Sequence, residues 1–268
     1  MQTLHFTLLQ TRLFWEDRKA NLAMLEKKIL GIPEKTEIVV LPEMFSTGFS
    51  MRPKDLAETM QGETVTWMKR MAATQRIILT GSLIIEEKGQ YFNRLLWVLP
   101  NGSIGYYDKR HLFAFAGEDR QYTAGHKRLI AQVKGWKINL QVCYDLRFPV
   151  WGRQQNTDVP EYDVLLYVAN WPERRSHAWK SLLTARAIEN QCFVVAVNRV
   201  GEDGNGIYHS GDSMVLDSLG TTLYHKQHEE DVFTIQLEKE TLIQVREKFP
   251  FWKDADHFKI ISEDGDQD

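Results

Sequence analysis

The chain has 268 residues, 43% of them hydrophobic and 11% aromatic, enough for one large domain with a substantial core or for two small ones. Its charged residues, 26% of the total, sum to a formal net charge of −3, which points away from nucleic acid and membrane surfaces and toward a small-molecule partner. Two cysteines are too few for a disulfide framework, and neither an apolar run of ~18 residues nor a basic-then-apolar leader is present, which predicts a reduced, soluble, cytoplasmic protein.

In chain order, a strand is predicted at Leu4–Gln10, then a helix over Asp17–Leu30 with Leu22, Leu25, Ile29 and Leu30 on one side. A strand at Ile38–Leu41 is followed by a helical period over Val65–Ala73 carrying Trp67, Met68 and Met71. Strands follow at Ile77–Glu86, Phe92–Leu99 and Ser103–Asp108, the last two joined by the turn "LPNGSIG". Further strands are predicted at Arg128–Val133, Lys137–Val142 and Val164–Ala169, with a short helical stretch "FPVWGRQQ" between the second and third. Ser176–Asn190 reads as a helix opened by a serine cap, with Trp179, Leu182, Leu183 and Ala187 inward. Strands at Phe193–Asn198, Ser213–Leu216, Thr221–Tyr224 and Val232–Leu237 complete the set, the first two separated by the turn "GEDGNG", before a helix at Glu238–Phe249.

Several of these strands are near-continuous hydrophobics, as strands buried on both faces are. They are too many for one small sheet, so the expected fold is α/β, with two mixed sheets packed face to face and helices outside. No linker or internal repeat divides the chain, which reads as a single domain over residues 1–268 with a C-terminal extension from about residue 249. Its acidic end, "ISEDGDQD", is expected to fray, whereas "FPFWKDADHF" is aromatic enough to pack on the domain or on a partner subunit.

Ligands of α/β sheets bind beyond the carboxyl ends of strands, so polar residues there matter. Three strands end in chemically useful side chains. Ile38–Leu41 runs into Pro42 and Glu43, a base or a solvated loop carboxylate. The strand ending at Asp108 runs into Lys109 beside the apolar stretch Leu112–Ala116, a desolvated cation or a surface lysine. Lys137–Val142 runs into Cys143 and a polar turn. A strand–cysteine–helix turn exposes a thiol, places free N–H groups near it and lowers its pKa, but a buried structural cysteine fits the local sequence equally well. Cys192 opens a hydrophobic strand with no polar turn after it and reads as core.

The segments "LPEMFSTGF", "YDKRHLF" and "QVCYDLRFP", in the order Glu, Lys, Cys, resemble the nitrilase or carbon–nitrogen hydrolase superfamily, and within it the omega-amidases (2-oxoglutaramate amidases). The resemblance runs over nearly the whole chain through "GSL", "YFNRLLWVLPNG", "VANWPERR", "ARAIENQCFVVAVNRVG" and "HSGDSMVLDSLG". It implies an αββα sandwich, with Glu43 as general base, Lys109 as oxyanion cation and Cys143 as nucleophile. It also implies a second glutamate before a "TxG" turn, for which "AGEDRQYTAG" offers Glu118, with Asp119 adjacent. The backbone N–H of Tyr144 completes the oxyanion donors.

The chemistry is self-consistent without a metal or a histidine. Glu43 deprotonates the thiol, returns the proton to the departing ammonia, then activates the water that cleaves the thioester. His111 is expected behind the site, and no histidine or cysteine pair has metal-ligand spacing, so no cofactor is implied. A 2-oxo dicarboxylate monoamide needs an arginine for its carboxylate, for which Arg174 and Arg175 after "NWPE" are candidates, with Trp171, Phe115, Phe113, Phe45 and Met44 as walls. Arg147 is expected to brace the cysteine turn by pairing with Asp145.

Nitrile hydrolysis, N-carbamyl amide hydrolysis or acyl transfer share these residues and are the main rivals, followed by a non-catalytic module that keeps the fold. An α/β-hydrolase is disfavoured because no glycine flanks Cys143 in a G-x-C-x-G pattern. The resemblance also implies a homodimer, paired through the regions near Phe148–Gln155 and Ser176–Asn190.

Overall fold

The computed structural model describes residues 2–154 and 158–261. Thirteen strands among these residues form two sheets. The first sheet is built from β1 (Thr3–Gln10), β2 (Ile38–Val40), β3 (Ile78–Glu87), β4 (Gln90–Val98) and β5 (Ile104–Asp108). The second uses β6 (Ile130–Val133), β7 (Trp136–Val142), β8 (Val164–Ala169), β9 (Phe193–Asn198), β10 (Val200–Glu202), β11 (Tyr208–Leu216) and β12 (Thr222–Gln227). The last strand, β13 (Asp231–Glu238), returns to the first sheet beside β1.

The sheet orders are β13-β1-β2-β3-β4-β5 and β10-β11-β9-β8-β7-β6, with β12 on β11. Three consecutive strands run parallel at the heart of each, β1–β2–β3 and β7–β8–β9. Parallel strands need crossover helices, and these supply the outer layers. The helices α1 (Arg18–Leu30) and α3 (Glu63–Gln75), separated by the single turn α2 (Pro53–Leu56), lie on the first sheet. Leu22, Leu25, Ile29, Trp67, Met68 and Met71 pack there against Val39, Leu79 and Leu96. Helix α6 (Ser176–Asn190) covers the second sheet through Trp179, Leu183 and Ala187. It follows the single turns α4 (Glu118–Gln121) and α5 (Pro149–Gly152), and α7 (Lys239–Lys248) closes the set.

Between the sheets lies the main core, where Phe6, Leu8, Val40 and Trp97 meet Ile138, Leu140, Leu166 and Val195. Strands with apolar side chains on both faces can only sit in such a sandwich, so the expected αββα architecture is borne out. No helix among the described residues is long and apolar enough to cross a membrane.

Differences from the sequence reading have local causes. Strand β11 begins at Tyr208 rather than Ser213, because Gly211 and Asp212 take positive φ angles of 78° and 59° and form a bulge inside a polar stretch. Ser176 is not a cap: it lies in the first turn of α6, Arg175 occupies the cap position, and no side chain caps that end. Asp17 does cap α1, accepting from the Ala20 N–H at 3.0 Å. In the C-terminal extension, Gln191 holds both the Phe249 carbonyl, at 2.7 Å, and the Trp252 N–H, at 3.2 Å. Ile260 packs against the main core. The segment expected to fray, from Ser262 on, lies outside the described residues, as does Gln155 of the expected pairing region.

Candidate active site

Four strand exits converge at one end of the sandwich. β2 leads to Glu43, β5 to Lys109, β7 to Cys143 and β8 to Asn170. The loop after β2 is pinned to β3 through Ser82, whose hydroxyl accepts from the Met44 N–H at 2.9 Å and whose carbonyl accepts from the Phe45 N–H at 3.1 Å.

Lys109 is fully buried, yet it carries a charge in good company. Its Nζ donates to Glu43 Oε1 at 2.9 Å and to both oxygens of Glu118 at 3.0 and 2.9 Å. Burial opposes the ammonium, but Glu118 and Glu43 outweigh it and hold the lysine above its ordinary pKa. Burial and the neighbouring Glu43 push the Glu118 carboxyl up, against the pull of Lys109. Glu118 also accepts the Phe113 N–H at 2.6 Å. Of the two adjacent acidic residues, Glu118 is buried and Asp119 exposed.

Two asparagines missing from the sequence reading complete this network. Asn93 Nδ2 bridges Glu43 Oε1, at 2.8 Å, and Glu118 Oε1, at 3.2 Å. The Asn170 N–H donates to Glu43 Oε2 at 2.8 Å, and its side chain donates to the Glu43 carbonyl at 2.5 Å. The available signal was an asparagine inside each of two apolar strand motifs, "YFNRLLW" and "VANW", where a lone amide needs a buried partner.

Cys143 has a positive φ of 44°, a strained position at a sharp strand-to-helix turn, and its residue is 8% exposed. Burial, then the negative charge of Glu43, pushes its thiol well above the usual range, so the resting group is a thiol and needs a base. The carboxylate that acts on it is Glu43, whose charge opposes formation of the thiolate. Tyr144, Asp145 and Arg147 follow in a 3₁₀ turn spanning Cys143–Arg147. The first N–H groups of such a turn have no carbonyl partner within it.

Asp145 is the brace of this turn. It accepts from the Val142 N–H at 3.0 Å, the Tyr107 hydroxyl at 2.8 Å and the His111 N–H at 3.0 Å, and it pairs with His111 Nδ1 at 2.8 Å. The expected pairing of Arg147 with Asp145 is therefore corrected: the carboxylate is occupied by residues flanking Lys109, and the Arg147 guanidinium lies 4.9 Å over the Trp171 ring. His111 stacks on Phe148 at 3.9 Å.

Cys143, Tyr144 and Lys109 line a cavity of about 510 Å³. Trp171, Phe113, Phe115, Arg147, Arg174 and Arg175 line it too. Arg175 is half-buried, lies 5.1 Å over the Phe113 ring, and has its pKa lowered by burial and by Arg174 while Cys143 counteracts. Arg174 is exposed. Phe115, 81% exposed, stands at the mouth. Phe45 and Met44 are corrections: both are fully buried away from the cavity, Phe45 in the core beneath the first sheet and Met44 in a small cluster with Ile84 and Tyr122. Phe49 and Met51, a few residues on, line the cavity instead. Cys192 is fully buried in the main core. Among the described residues, no group of three or more His, Cys, Asp or Glu side chains is arranged to hold a metal ion.

Residues 6–247 match the model of the carbon–nitrogen hydrolase family. The chain is 44% identical over 261 residues to the omega-amidase YafV of Escherichia coli, spanning 97% of this chain and 100% of that protein. It is 33% identical over 221 residues to the 2-oxoglutaramate amidase of Bacillus subtilis, spanning 81% and 84% of the two chains. A solved carbon–nitrogen hydrolase superfamily protein of Xanthomonas campestris superposes with a TM-score of 0.94 at 44% identity, covering 97% of this chain and 100% of that one.

Proposed function

The chain belongs to the carbon–nitrogen hydrolase family and is an amidohydrolase of non-peptide carbon–nitrogen bonds, and from that premise we propose that it cleaves the terminal amide of a small 2-oxo dicarboxylate monoamide, 2-oxoglutaramate or 2-oxosuccinamate, to the acid and ammonia. The carrying observation is the juxtaposition of the buried Glu43–Lys109–Glu118 cluster, the Cys143 thiol and the half-buried guanidinium of Arg175 at one cavity. The first three fit amide hydrolysis. Arg175 is half-buried over the Phe113 ring at the cavity, where its planar fork suits the substrate's carboxylate.

The proposed steps use these groups in turn. Glu43 takes the proton of a thiol that burial keeps neutral, and Cys143 sulfur attacks the amide carbon. The oxyanion that forms is met by Lys109 Nζ and the Tyr144 N–H, a contribution of ~3 kcal/mol for each donor. Glu118 and Asn93 keep the ammonium and the base in register. Glu43 then hands its proton to the leaving ammonia, and the same carboxylate draws a proton from the water that opens the thioester. Trp171 and Phe113 exclude bulk water.

We read residues 1–268 as one domain working in the cytoplasm as a homodimer. Apolar Val150 and Ile188, both about half exposed at 54% and 51%, fit pairing through α5 and α6, and light scattering measures the mass directly. Ammonia release by purified protein from 2-oxoglutaramate and 2-oxosuccinamate tests the substrate. Silence with both compounds sinks the substrate assignment, and equal release by Cys143→Ala sinks the mechanism.

A further inference from the structure

The active-site cavity is larger than the proposed substrate and has two unlike faces. A 2-oxo monoamide of about ten heavy atoms, each given at most the ~30 Å³ of a water, takes up no more than ~300 Å³. The cavity measures about 510 Å³. One face carries Arg147, Arg174 and Arg175 among the rings of Trp171, Phe113 and Tyr144. The other includes apolar Trp15, Phe49, Met51 and Ile207, with Glu16, Arg52, Asp203 and Asn205 also in the lining.

The second face is a built wall. Trp15 is clamped between two backbone segments that only glycine allows. A Cβ at Gly204, in the turn joining β10 to β11, would come within 2.3 Å of the indole, and one at Gly48, where φ is +77°, within 3.1 Å. The segment from Trp15 to Met51 is tied to itself, with the Glu16 N–H donating to the Thr47 carbonyl at 2.7 Å and the Ser50 hydroxyl to Glu16 at 2.6 Å. Phe49 and Met51 pack on Met44, Ile84 and Tyr122, and the Tyr122 hydroxyl donates to the Ser50 carbonyl at 2.6 Å. The Lys109 ammonium lies 5.1 Å from the Phe49 ring, so this wall adjoins the Lys109–Glu43 pair.

Chemistry then decides which part of a substrate meets the wall. The three groups on an amide carbon diverge in a plane. With the acyl chain directed toward Arg175, whatever the nitrogen carries is directed the other way. That nitrogen must also reach Glu43 to collect its proton. Resting on the function proposed above, we infer that the Trp15–Phe49–Met51–Ile207 wall is a leaving-group subsite for an apolar N-substituent, so that the protein also hydrolyses secondary amides of the same dicarboxylates. The balance is the same as for the primary amide. The sulfur–carbon bond forms as the carbon–nitrogen bond breaks, the amine leaves with the Glu43 proton, and water converts the thioester to acid and thiol.

The test compares 2-oxoglutaramate with its N-benzyl amide, measuring ammonia and benzylamine release separately. Wild-type protein is expected to release both. Trp15→Ala is expected to lower kcat/KM for the benzyl amide by about tenfold or more through KM, the scale of losing one ring-sized apolar contact, while changing the primary amide less than about threefold. Gly204→Ala, which displaces the indole without removing it, is expected to act in the same direction. Ammonia without benzylamine overturns this inference alone, and so does an equal loss on both substrates in both variants. Release of neither product by wild type overturns it together with the assignment of 2-oxoglutaramate.

Discussion

Lys109 Nζ stands 2.9 Å from Glu43 Oε1, both groups fully buried, across a separation of 66 residues. A salt bridge this deep is stable only because both partners have further bonds: Glu118 on the lysine, Asn93 and the Asn170 N–H on the glutamate. In the proposed mechanism this pair supplies a proton acceptor and a cation to an amide carbon beside Cys143. Glu43→Gln keeps the shape and loses the acceptor. We expect a normal circular dichroism spectrum and a fall in kcat of about 10³-fold or more, within the range that positioned acid–base groups supply. A folded variant with near-normal turnover would remove Glu43 as the base.

In the proposed mechanism Glu118 acts through Lys109, whose Nζ donates to both of its oxygens. Glu118→Gln removes the largest of the charges that keep the lysine's pKa raised against burial. The ammonium should then lose its proton at lower pH, and the alkaline limb of the kcat profile should move down in pH, with kcat at neutral pH reduced by ~10²-fold from mispositioning. A purely structural role would lower activity without moving that limb.

Arg175 and Arg174 are neighbours with different prospects. Arg175→Met is expected to raise KM and lower kcat/KM by roughly 10–100-fold, the scale of a lost charge-assisted hydrogen-bond pair. Arg174→Met, at an exposed position, should change it less than about threefold. Steady-state kinetics with 2-oxoglutaramate separates the two, and the reverse ranking would move the carboxylate site to Arg174.

His209 supplies a pH dependence of stability. Burial first, and the adjacent Arg199 second, push its pKa down to about 4. Its unfolded value is about 6.5, so the unfolded chain takes up a proton that the folded one refuses. The resulting stability is complete above pH 6.5 and drains away as the pH falls from 6.5 toward 4, by about 3 kcal/mol. Urea unfolding of wild type and His209→Gln across that interval should show a shallower slope in the variant, and identical slopes would contradict the assignment.

Much of this protein is local, and that much was legible along the chain. Near-continuous runs such as Val164–Ala169 and Phe193–Asn198 have no polar face, so they had to be strands covered on both sides, and two covered sheets follow from their number. Glu43, Lys109 and Cys143 sit at the exits of β2, β5 and β7 because strand ends are where a sandwich opens to solvent. What no local pattern contains is a partner. Asn93 and Asn170 appear along the chain as single amides in apolar strands, and only the meeting of β4 and β8 with the Glu43 loop gives them their hydrogen bonds. Phe45 and Phe49 are both aromatics in the same loop, and only the packing sends one under the sheet and the other to the cavity. Asp145 had Arg147 two residues away as the obvious counter-charge, yet Tyr107 and His111 reached it first because β5 lies beside the turn. Residue types and strand exits are properties of short segments under hydrophobic patterning. Hydrogen-bond partners, the side of a loop that is buried and the walls of a cavity depend on segments far apart in the chain, and they exist only once burial has brought those segments together.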